Sequence, residues 1–261
     1  MPVQTSIQKA SQGSTSALKS ETLKPTSSQL TSKSPSESAV RLPVDAIYYI
    51  SLPKAAVRRA KLIQHFESIG LVDKHGCPPQ WIIANDGNHV SHAVDNSIKK
   101  AHKRPNMSLS EIGCFASHRE VWQEQIRHEH QFVLVLEDDA RFDLDKLRNL
   151  VANWHKLPDF DFLHLGWEYY AGYKKQTIEE IDIAGLPDLW KGDGMWLTHA
   201  YILSPDGAAT LIERTEIQTN GLDAMTADIQ SDMWSYGFKP SIAYQEKGSS
   251  GVMRSQIHHT G

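Results

Sequence analysis

Three consecutive carboxylates, Glu137, Asp138 and Asp139, follow directly on a run of five apolar residues at 132–136. An apolar run of this kind is typical of a strand that is buried on both faces. Like charges a few ångströms apart oppose one another's ionisation, and a bound cation removes that penalty. Carboxylate oxygens suit Mg²⁺ or Mn²⁺. The segment alone therefore predicts either a metal site or an acidic loop after a core strand.

The alternation of side chains along a strand predicts on which face of the sheet each of these acids lies. If the strand geometry continues through the triplet, Glu137 and Asp139 lie on one face and Asp138 points to the other. Glu137 and Asp139 would then bind a metal ion that in turn binds a diphosphate group.

Length and composition exclude several classes of protein. The chain has 261 residues, 40% hydrophobic residues and a formal net charge of −4, so a sizeable core is expected and no polybasic surface favours nucleic acid. Cys77 and Cys114 lack metal-ligand spacing relative to each other, and one pair is weak support for a disulfide framework. No apolar run approaches the roughly 20 residues of a membrane helix. We therefore expect a cytoplasmic protein with at most peripheral association at the inner face of a membrane.

The chain divides into a polar tail and a folded domain. Residues 1–42 are dominated by Ser, Thr, Gln and Lys with scattered Pro, and cannot bury enough apolar surface to offset their ordering entropy. We predict that this segment is disordered and that residues 43–261 form one catalytic domain.

Apolar periodicity and turn residues predict the elements that position the acids. The expected strands are 44–52, 81–84, 132–136, 160–165, 200–203 and 241–244, and the expected helices are 55–69, 108–128, 144–154 and 205–212. In the first helix Val57, Leu62, Ile63, Phe66 and Ile69 form the apolar face, and Ser108 with Glu111 resembles a capping box before the second. Residues 167–192 and the tail from 237 are predicted to be mostly irregular. This order indicates an α/β architecture with a parallel pair of strands.

Several separated pieces, in order, resemble glycosyltransferase family 25. They are Ile50-Ser-Leu52 with Arg58-Arg59, Ala84-Asn-Asp-Gly87, the run from Ser108 to His118 with Trp122, Leu136-Glu-Asp-Asp139, the run from Asp161 to Gly166, the run from Thr198 to Ser204 with Gly207-Ala208, and Gly221-Leu-Asp223. The family contains bacterial lipooligosaccharide galactosyltransferases and collagen hydroxylysine galactosyltransferases. The resemblance covers roughly residues 45–246.

The resemblance implies a GT-A-like nucleotide-sugar-binding fold with a mixed central sheet flanked by helices. It also implies a UDP-sugar donor, commonly UDP-galactose, a Mn²⁺ or Mg²⁺ cofactor, and inverting transfer to a glycan or lipid-linked saccharide acceptor, as in lipooligosaccharide or lipopolysaccharide biosynthesis. Two features depart from the family pattern. Ser51-Leu52 stands where the family usually has Asn-Leu, and residues 167–195 have no match.

Carried onto this sequence, the resemblance implies roles on the donor side of the reaction. Glu137 and Asp139 would bind the metal, and Asp138 would reach the ribose or sugar of the donor. Arg58 would contact the nucleotide or its phosphates as a fixed cation, or else be a solvated helix residue.

Two further donor-side candidates have plain structural alternatives. Asp86 would lie near the uracil or ribose, or serve only the turn that it begins. His118 would hydrogen-bond the donor or orient an acid, or be a satisfied core histidine.

An inverting transfer also needs a general base near the acceptor hydroxyl. Asp223 matches the family's late aspartate and is the catalytic candidate, whereas Asp228 and Asp232 suit a solvated helix face. His258 and His259 would add a metal ligand or belong to a loose terminus. Aromatic residues in the unmatched region would form a sugar-stacking wall or a packed core; they are Trp167, Tyr169, Tyr170, Trp190 and Trp196.

Two other functions fit the same fold class. A metal-dependent phosphohydrolase would also place acids at a strand end, but the accompanying nucleophile and distal Lys are not apparent in this sequence. A catalytically inactive interaction or glycan-binding module is the other alternative, against which the intact acidic triplet argues.

Overall fold

The computed structural model describes residues 39–90, 93–94, 107–170 and 177–246. Most of the predicted tail, most of the polar loop at 89–105, and both His258 and His259 lie outside these ranges. Among the described residues, no helix is both long and apolar enough to cross a lipid bilayer.

An eight-stranded mixed sheet forms the centre of the molecule, with the strand order β2-β1-β4-β9-β6-β11-β8-β7. The strands are β1 Ala46–Ser51, β2 Gln80–Ile83, β4 Val133–Glu137, β6 Phe162–His164, β7 Thr177–Ile183, β8 Leu186–Asp193, β9 Ala200–Leu203 and β11 Ser235–Phe238. The pairs β1–β2, β1–β4 and β6–β11 are parallel, and β9 runs antiparallel between β4 and β6. The predicted α/β fold with a mixed central sheet is confirmed.

Two short ladders lie outside the central sheet. Strand β3, Ala93–Val94, pairs in parallel with β10, Ile217–Gln218. Strand β5, Ala140–Phe142, follows the acidic triplet and pairs antiparallel with β12, Ala243–Gln245. The second ladder ties the chain after the acids to the last described strand.

In the described part of the chain, five α-helices cover the two faces of the sheet. They are α1 Ala56–Ile69, α2 Leu109–Arg127, α3 Leu144–Asn153, α4 Pro205–Arg214 and α5 Leu222–Ile229. Helices α1 and α3 pack into one hydrophobic cluster, and α2, α4 and α5 pack into the other. Strand β4 contributes Leu134 and Leu136 to the first cluster and Val133 and Val135 to the second, so it is buried on both faces as predicted.

Four sequence predictions differ from the structure. The region 167–192 contains the β7–β8 hairpin, and residues 235–238 form a strand rather than the start of a mostly irregular tail. On α1, Val57 is 74% exposed and Ile63 is 37% exposed, so the buried face is narrower than the apolar pattern suggests. The folded part also begins before residue 43, because Val40 and Leu42 are buried.

Candidate active site

The acidic triplet lies at the carboxyl edge of the central sheet, where β1 and β4 end side by side. The two strands are parallel, with Ile50 opposite Glu137, so the residues that follow them meet at the same edge. The antiparallel strand β9 enters from this edge, and the Glu137 backbone N–H donates to the carbonyl of His199 at 2.9 Å. Residues from three elements are thereby brought to one place.

The strand geometry stops at Glu137, and Asp138 and Asp139 form the turn into β5. Strict alternation through all three acids, which the sequence analysis assumed, is therefore wrong at Asp139. The Asp138 side chain nevertheless has partners of its own, which lie at the end of β1 and the start of α1.

Asp138 and Arg58 form an ion pair at this edge. The Arg58 Nη2 lies 3.2 Å from Asp138 Oδ1, and the Ser51 hydroxyl donates to Asp138 Oδ2 at 2.8 Å. Asp138 is buried, while the Arg58 side chain keeps 28% of its surface exposed. The structure thus brings together two of the predicted donor-binding residues. Ser51, the departure from the family pattern, is the third member of this hydrogen-bonded group.

Asp223, the predicted base, lies on the first turn of α5 and is held by Thr198. The Thr198 hydroxyl donates to Asp223 Oδ1 at 2.7 Å, and Thr198 also lowers the pKa of Glu137, against the larger effect of burial. Thr198 comes from the segment before β9, where Leu197 has a left-handed φ of 84°. A branched residue in that region stores strain, which is often found next to functional groups. Thr198 therefore links the predicted base with a predicted metal ligand.

His118 lies on α2, fully buried beneath Glu137. Its Nε2 is 3.5 Å from Glu137 Oε1, and its Nδ1 is 2.9 Å from the hydroxyl of Tyr201. The same hydroxyl accepts a hydrogen bond from Trp122 Nε1 at 2.8 Å. His118 is therefore a buried histidine that also faces the site, which combines both of the sequence-based alternatives.

Asp139 has an unusual environment for a carboxylate. Its backbone carbonyl accepts a hydrogen bond from the Glu246 N–H at 2.9 Å, which ties the turn to β12. Its Oδ1 is buried and has no hydrogen-bond partner in the part of the chain that the structure describes. A buried unpaired carboxylate oxygen is costly unless a cation or donor satisfies it.

Partial burial makes ionisation of the site's acids unfavourable. Desolvation raises the pKa of Glu137 to about 7, and the charge of Asp138 adds to this effect. Desolvation, with the charges of Glu137 and Asp138, raises the pKa of Asp139 to about 7. Desolvation and the charge of Glu137 raise the pKa of Asp223 to about 6. A divalent cation among these groups would relieve their mutual repulsion.

The donor set fits a hard divalent ion. Glu137 and Asp139 offer carboxylate oxygens, one of them without a partner among the described residues, and such oxygens suit Mg²⁺ or Mn²⁺. The fit supports the predicted ligand pair without fixing a coordination geometry.

Asp86 lies in the turn after β2. It caps a 3₁₀ turn over Gly87–His89, and its Oδ1 accepts from the backbone N–H of Asn88 at 3.1 Å. The turn role that the sequence left open is therefore present, and contact with the donor stays a prediction.

The aromatic residues of the unmatched region form a cleft at the same edge of the sheet. Trp167 and Tyr169 pack edge to face with their ring centroids 4.8 Å apart, and Lys239 Nζ lies 4.0 Å from the centre of the Tyr169 ring. These residues, with Glu168, Pro240 and Ser241, line a space of about 490 Å³. Trp190 packs against Trp167, and Tyr170 pairs with Trp196.

Sequence reasoning missed Thr198, Tyr201 and Cys114 as neighbours of the site. Cys114 precedes His118 by four residues, so both side chains lie on one face of α2. This spacing is a signal that the search for paired cysteines overlooked. Cys114, His118 and Glu137 offer ligand atoms that all lie within 4.8 Å of one another.

Comparison with known proteins gives a consistent result. The family model described as "Glycosyltransferase family 25 (LPS biosynthesis protein)" matches residues 44–229. A "Glycosyltransferase 25 family member" of Anopheles gambiae is 31% identical over 184 residues, which cover 66% of this chain and 29% of the relative. "Procollagen galactosyltransferase 2" of Homo sapiens is 36% identical over 110 residues, which cover 41% of this chain and 17% of the relative.

An "Inactive glycosyltransferase 25 family member 3" of Mus musculus is 26% identical over 188 residues, covering 68% of this chain and 30% of the relative. The chain therefore spans less than a third of the length of these curated relatives.

Proposed function

The chain belongs to glycosyltransferase family 25, and on that premise we propose that it transfers a hexose, with galactose as the first candidate, from a UDP-sugar to a hydroxyl group of a glycan acceptor with inversion. The observation that carries the proposal is the convergence of Glu137, Asp139 and Asp223 at the carboxyl edge of the sheet. The pKa values of all three carboxyl groups are raised, so a bound cation would stabilise their ionised forms and one of them can accept a proton near neutral pH.

Asp223 is the group that takes the proton of the acceptor hydroxyl. A general base works best when its pKa lies close to the working pH, and burial moves the pKa of Asp223 to about 6. The hydrogen bond from Thr198 fixes the position of the carboxylate. At neutral pH this group is ionised, yet it is more basic than an ordinary aspartate.

The donor is held by residues on the other side of the triplet. Mn²⁺ or Mg²⁺, when bound by Glu137 and Asp139, supplies Lewis-acid stabilisation to the departing diphosphate. Arg58 adds a fixed positive charge on the same side, and Asp138 orients Arg58 through their ion pair while offering a carboxylate to the donor ribose. Asp86 and His118 complete the set of donor-side candidates.

The aromatic cleft is the proposed acceptor site. Strands β4, β6 and β11 run in the same direction, so the residues after β6 and β11 lie at the same edge as Glu137. Strand β4 is two strand spacings from β6, about 10 Å. Tyr169 is exposed and offers a ring for sugar stacking, whereas Trp167 is 1% exposed and supports it from beneath. Lys239 adds a positive charge over both rings. A lipid-linked saccharide of the lipopolysaccharide type, used at the inner face of a membrane, is the acceptor class we put forward.

The experiment is a UDP-release assay over a panel of UDP-sugars, with Mn²⁺ or with EDTA. We expect release from one donor in Mn²⁺ and none in EDTA. Asp139→Asn should lower turnover by about 100-fold or more, because a metal ligand is lost. Asp206→Asn, an exposed carboxylate on the first turn of α4, is the matched control and should leave turnover unchanged.

The same assay separates the proposal from its rivals. Absence of UDP release from every donor, together with no rise in Tm on addition of UDP and Mn²⁺, would favour an inactive module of the kind named among the relatives. Release of phosphate from simple phosphate esters would favour a phosphohydrolase. Full turnover by Asp139→Asn would remove the metal-site assignment.

A further inference from the structure

A second set of ligand atoms lies beside the oxygen pair proposed for Mn²⁺. Cys114 and His118 project from one face of α2 toward Glu137, and Cys114 Sγ, a ring nitrogen of His118 and a carboxylate oxygen of Glu137 all lie within 4.8 Å of one another. The set contains sulfur, nitrogen and oxygen. Mg²⁺ and Mn²⁺ prefer oxygen, whereas a thiolate with an imidazole is typical of Zn²⁺ and related ions.

The state of His118 points independently to a ligand. The side chain is fully buried, and its Nε2 has no hydrogen-bond partner among the described residues while it faces Glu137 Oε1 at 3.5 Å. Its other nitrogen, Nδ1, is already paired with the Tyr201 hydroxyl. Histidines that bind metals are oriented in this way, through a hydrogen bond at the nitrogen that does not bind the ion. Nε2 is thus the nitrogen that is both free and aimed at the cluster.

We propose that Cys114, His118 and Glu137 form a binding site for a divalent ion of the Zn²⁺ class. Ligand atoms around a tetrahedral zinc ion are about 3.3–3.6 Å apart, and the His118–Glu137 separation of 3.5 Å already meets this requirement. The thiol must close a remaining gap of at most about 1.5 Å to reach the same spacing. Three protein ligands leave a fourth position for water or a substrate oxygen, as in open zinc sites.

Because Glu137 belongs to both sets of ligands, the two ions compete for its carboxylate. Zn²⁺ binds nitrogen and sulfur ligands far more tightly than Mn²⁺ does, so a low concentration of Zn²⁺ removes Glu137 from the oxygen pair. This consequence rests on the proposed function, and it makes Zn²⁺ an inhibitor of sugar transfer. The binding site itself does not depend on the transfer reaction.

The test titrates the metal-free full chain with Co²⁺ alone and records the thiolate-to-cobalt charge-transfer absorption. We expect one equivalent of Co²⁺ with this absorption, displaced by Zn²⁺. Cys114→Ser should abolish the absorption and weaken Zn²⁺ binding at least about 10-fold. Cys77→Ser, which removes the exposed second thiol, is the matched control and should leave both unchanged. Equal Tm values for the two variants without metal establish that both are folded.

Several results would overturn the site. They are Co²⁺ binding without a charge-transfer band, a band that persists in Cys114→Ser, or a band that disappears in Cys77→Ser. In the transfer assay, the Zn²⁺ concentration for half inhibition should rise at least about 10-fold in Cys114→Ser, and an unchanged value would overturn the inhibition. Because the titration uses no donor, loss of the transferase proposal would leave the zinc site standing, and loss of the zinc site would leave Mn²⁺-dependent transfer standing.

Discussion

At the scale of single residues, the candidate active site places several carboxyl groups where burial disfavours their ionised forms. Glu137 and Asp139 both have pKa values raised to about 7, with desolvation as the largest cause. Such groups reduce the free energy of unfolding at neutral pH, and the apolar strand β4 with its two hydrophobic clusters offsets that loss. Function and stability are in opposition here, as is common where a site must be ready for a ligand.

Asp139→Asn should therefore stabilise the metal-free protein while it removes activity. The folded pKa of about 7 exceeds the ordinary 3.8, so between these values the folded state binds more protons than the unfolded state. The stability that Asp139 contributes is thus lost as the pH rises through this window. After allowance for solvent screening of a group that is only partly buried, we expect the variant to be more stable by about 1 kcal/mol at pH 8, or about 2–4 °C in Tm.

The measurement is Tm against pH in EDTA for both proteins. The difference should vanish below about pH 3, where Asp139 is mostly protonated in both states. Mn²⁺ should raise the Tm of the unmodified chain and leave that of the variant nearly unchanged. A variant less stable than the parent at pH 8 in EDTA would show that the folded state does not disfavour the ionised form of Asp139.

At the scale of elements, helix α2 presents His118 and Cys114 to the site, and glycines allow its close approach to the turn after β2. A Cβ atom at Gly113 would lie 2.4 Å from the Asn85 carbonyl oxygen, and one at Gly87 would lie 1.9 Å from the Leu109 carbonyl oxygen. Both obstacles are backbone atoms, which cannot rotate away. The position of α2 relative to the sheet therefore depends on these two residues.

Gly113→Ala tests this dependence through the sign of its effect. Helix propensity alone would make Ala more stable than Gly by about 1 kcal/mol in a helix interior. The contact with Asn85 should reverse the sign and lower the free energy of unfolding by about 1–3 kcal/mol. Urea unfolding measures the change, and Gln123→Ala, an exposed position on the same helix, should stay within about 0.5 kcal/mol of the parent. A Gly113→Ala protein as stable as the parent would contradict the close approach of α2 to the turn after β2.

Elements with local signals were predictable from the sequence. The capping box at Ser108 and Glu111 is present, and α2 runs over Leu109–Arg127. Strand β4 likewise follows its apolar run. The β7–β8 hairpin was not predictable, because the adjacent Glu179 and Glu180 break the apolar–polar alternation that marks a strand. The place of β7 also depends on the pairing of β8 with β11.

The same contrast holds within the candidate site. The acids, Arg58 and His118 were identified through the family resemblance, and the structure brings them close together. Contacts between distant segments, such as that of Thr198 with Asp223, carry no local pattern. They follow only from the order of the strands, which no single segment encodes.

At the scale of the whole molecule, the segment before β1 closes one of the two hydrophobic clusters. Val40, Leu42 and Val44 are each at most 3% exposed and belong to the cluster that contains α1 and α3. Backbone hydrogen bonds join this segment to the chain after α1, including Leu42 N–H to the Val72 carbonyl at 2.9 Å. The folded part of the chain thus depends on residues that composition alone would assign to the polar tail.

Two shortened chains should separate the tail from the fold. A chain beginning at residue 39 should keep the full free energy of unfolding, because residues 1–38 have the composition of a disordered segment. A chain beginning at residue 46 loses three buried side chains, each worth about 1.5–3 kcal/mol. Its expected loss of about 5 kcal/mol is comparable with the whole stability of a typical domain. Urea unfolding measures both. Equal stability of the two chains would contradict the core role of Val40, Leu42 and Val44, whereas a large loss on removal of residues 1–38 would contradict the prediction made for them from composition.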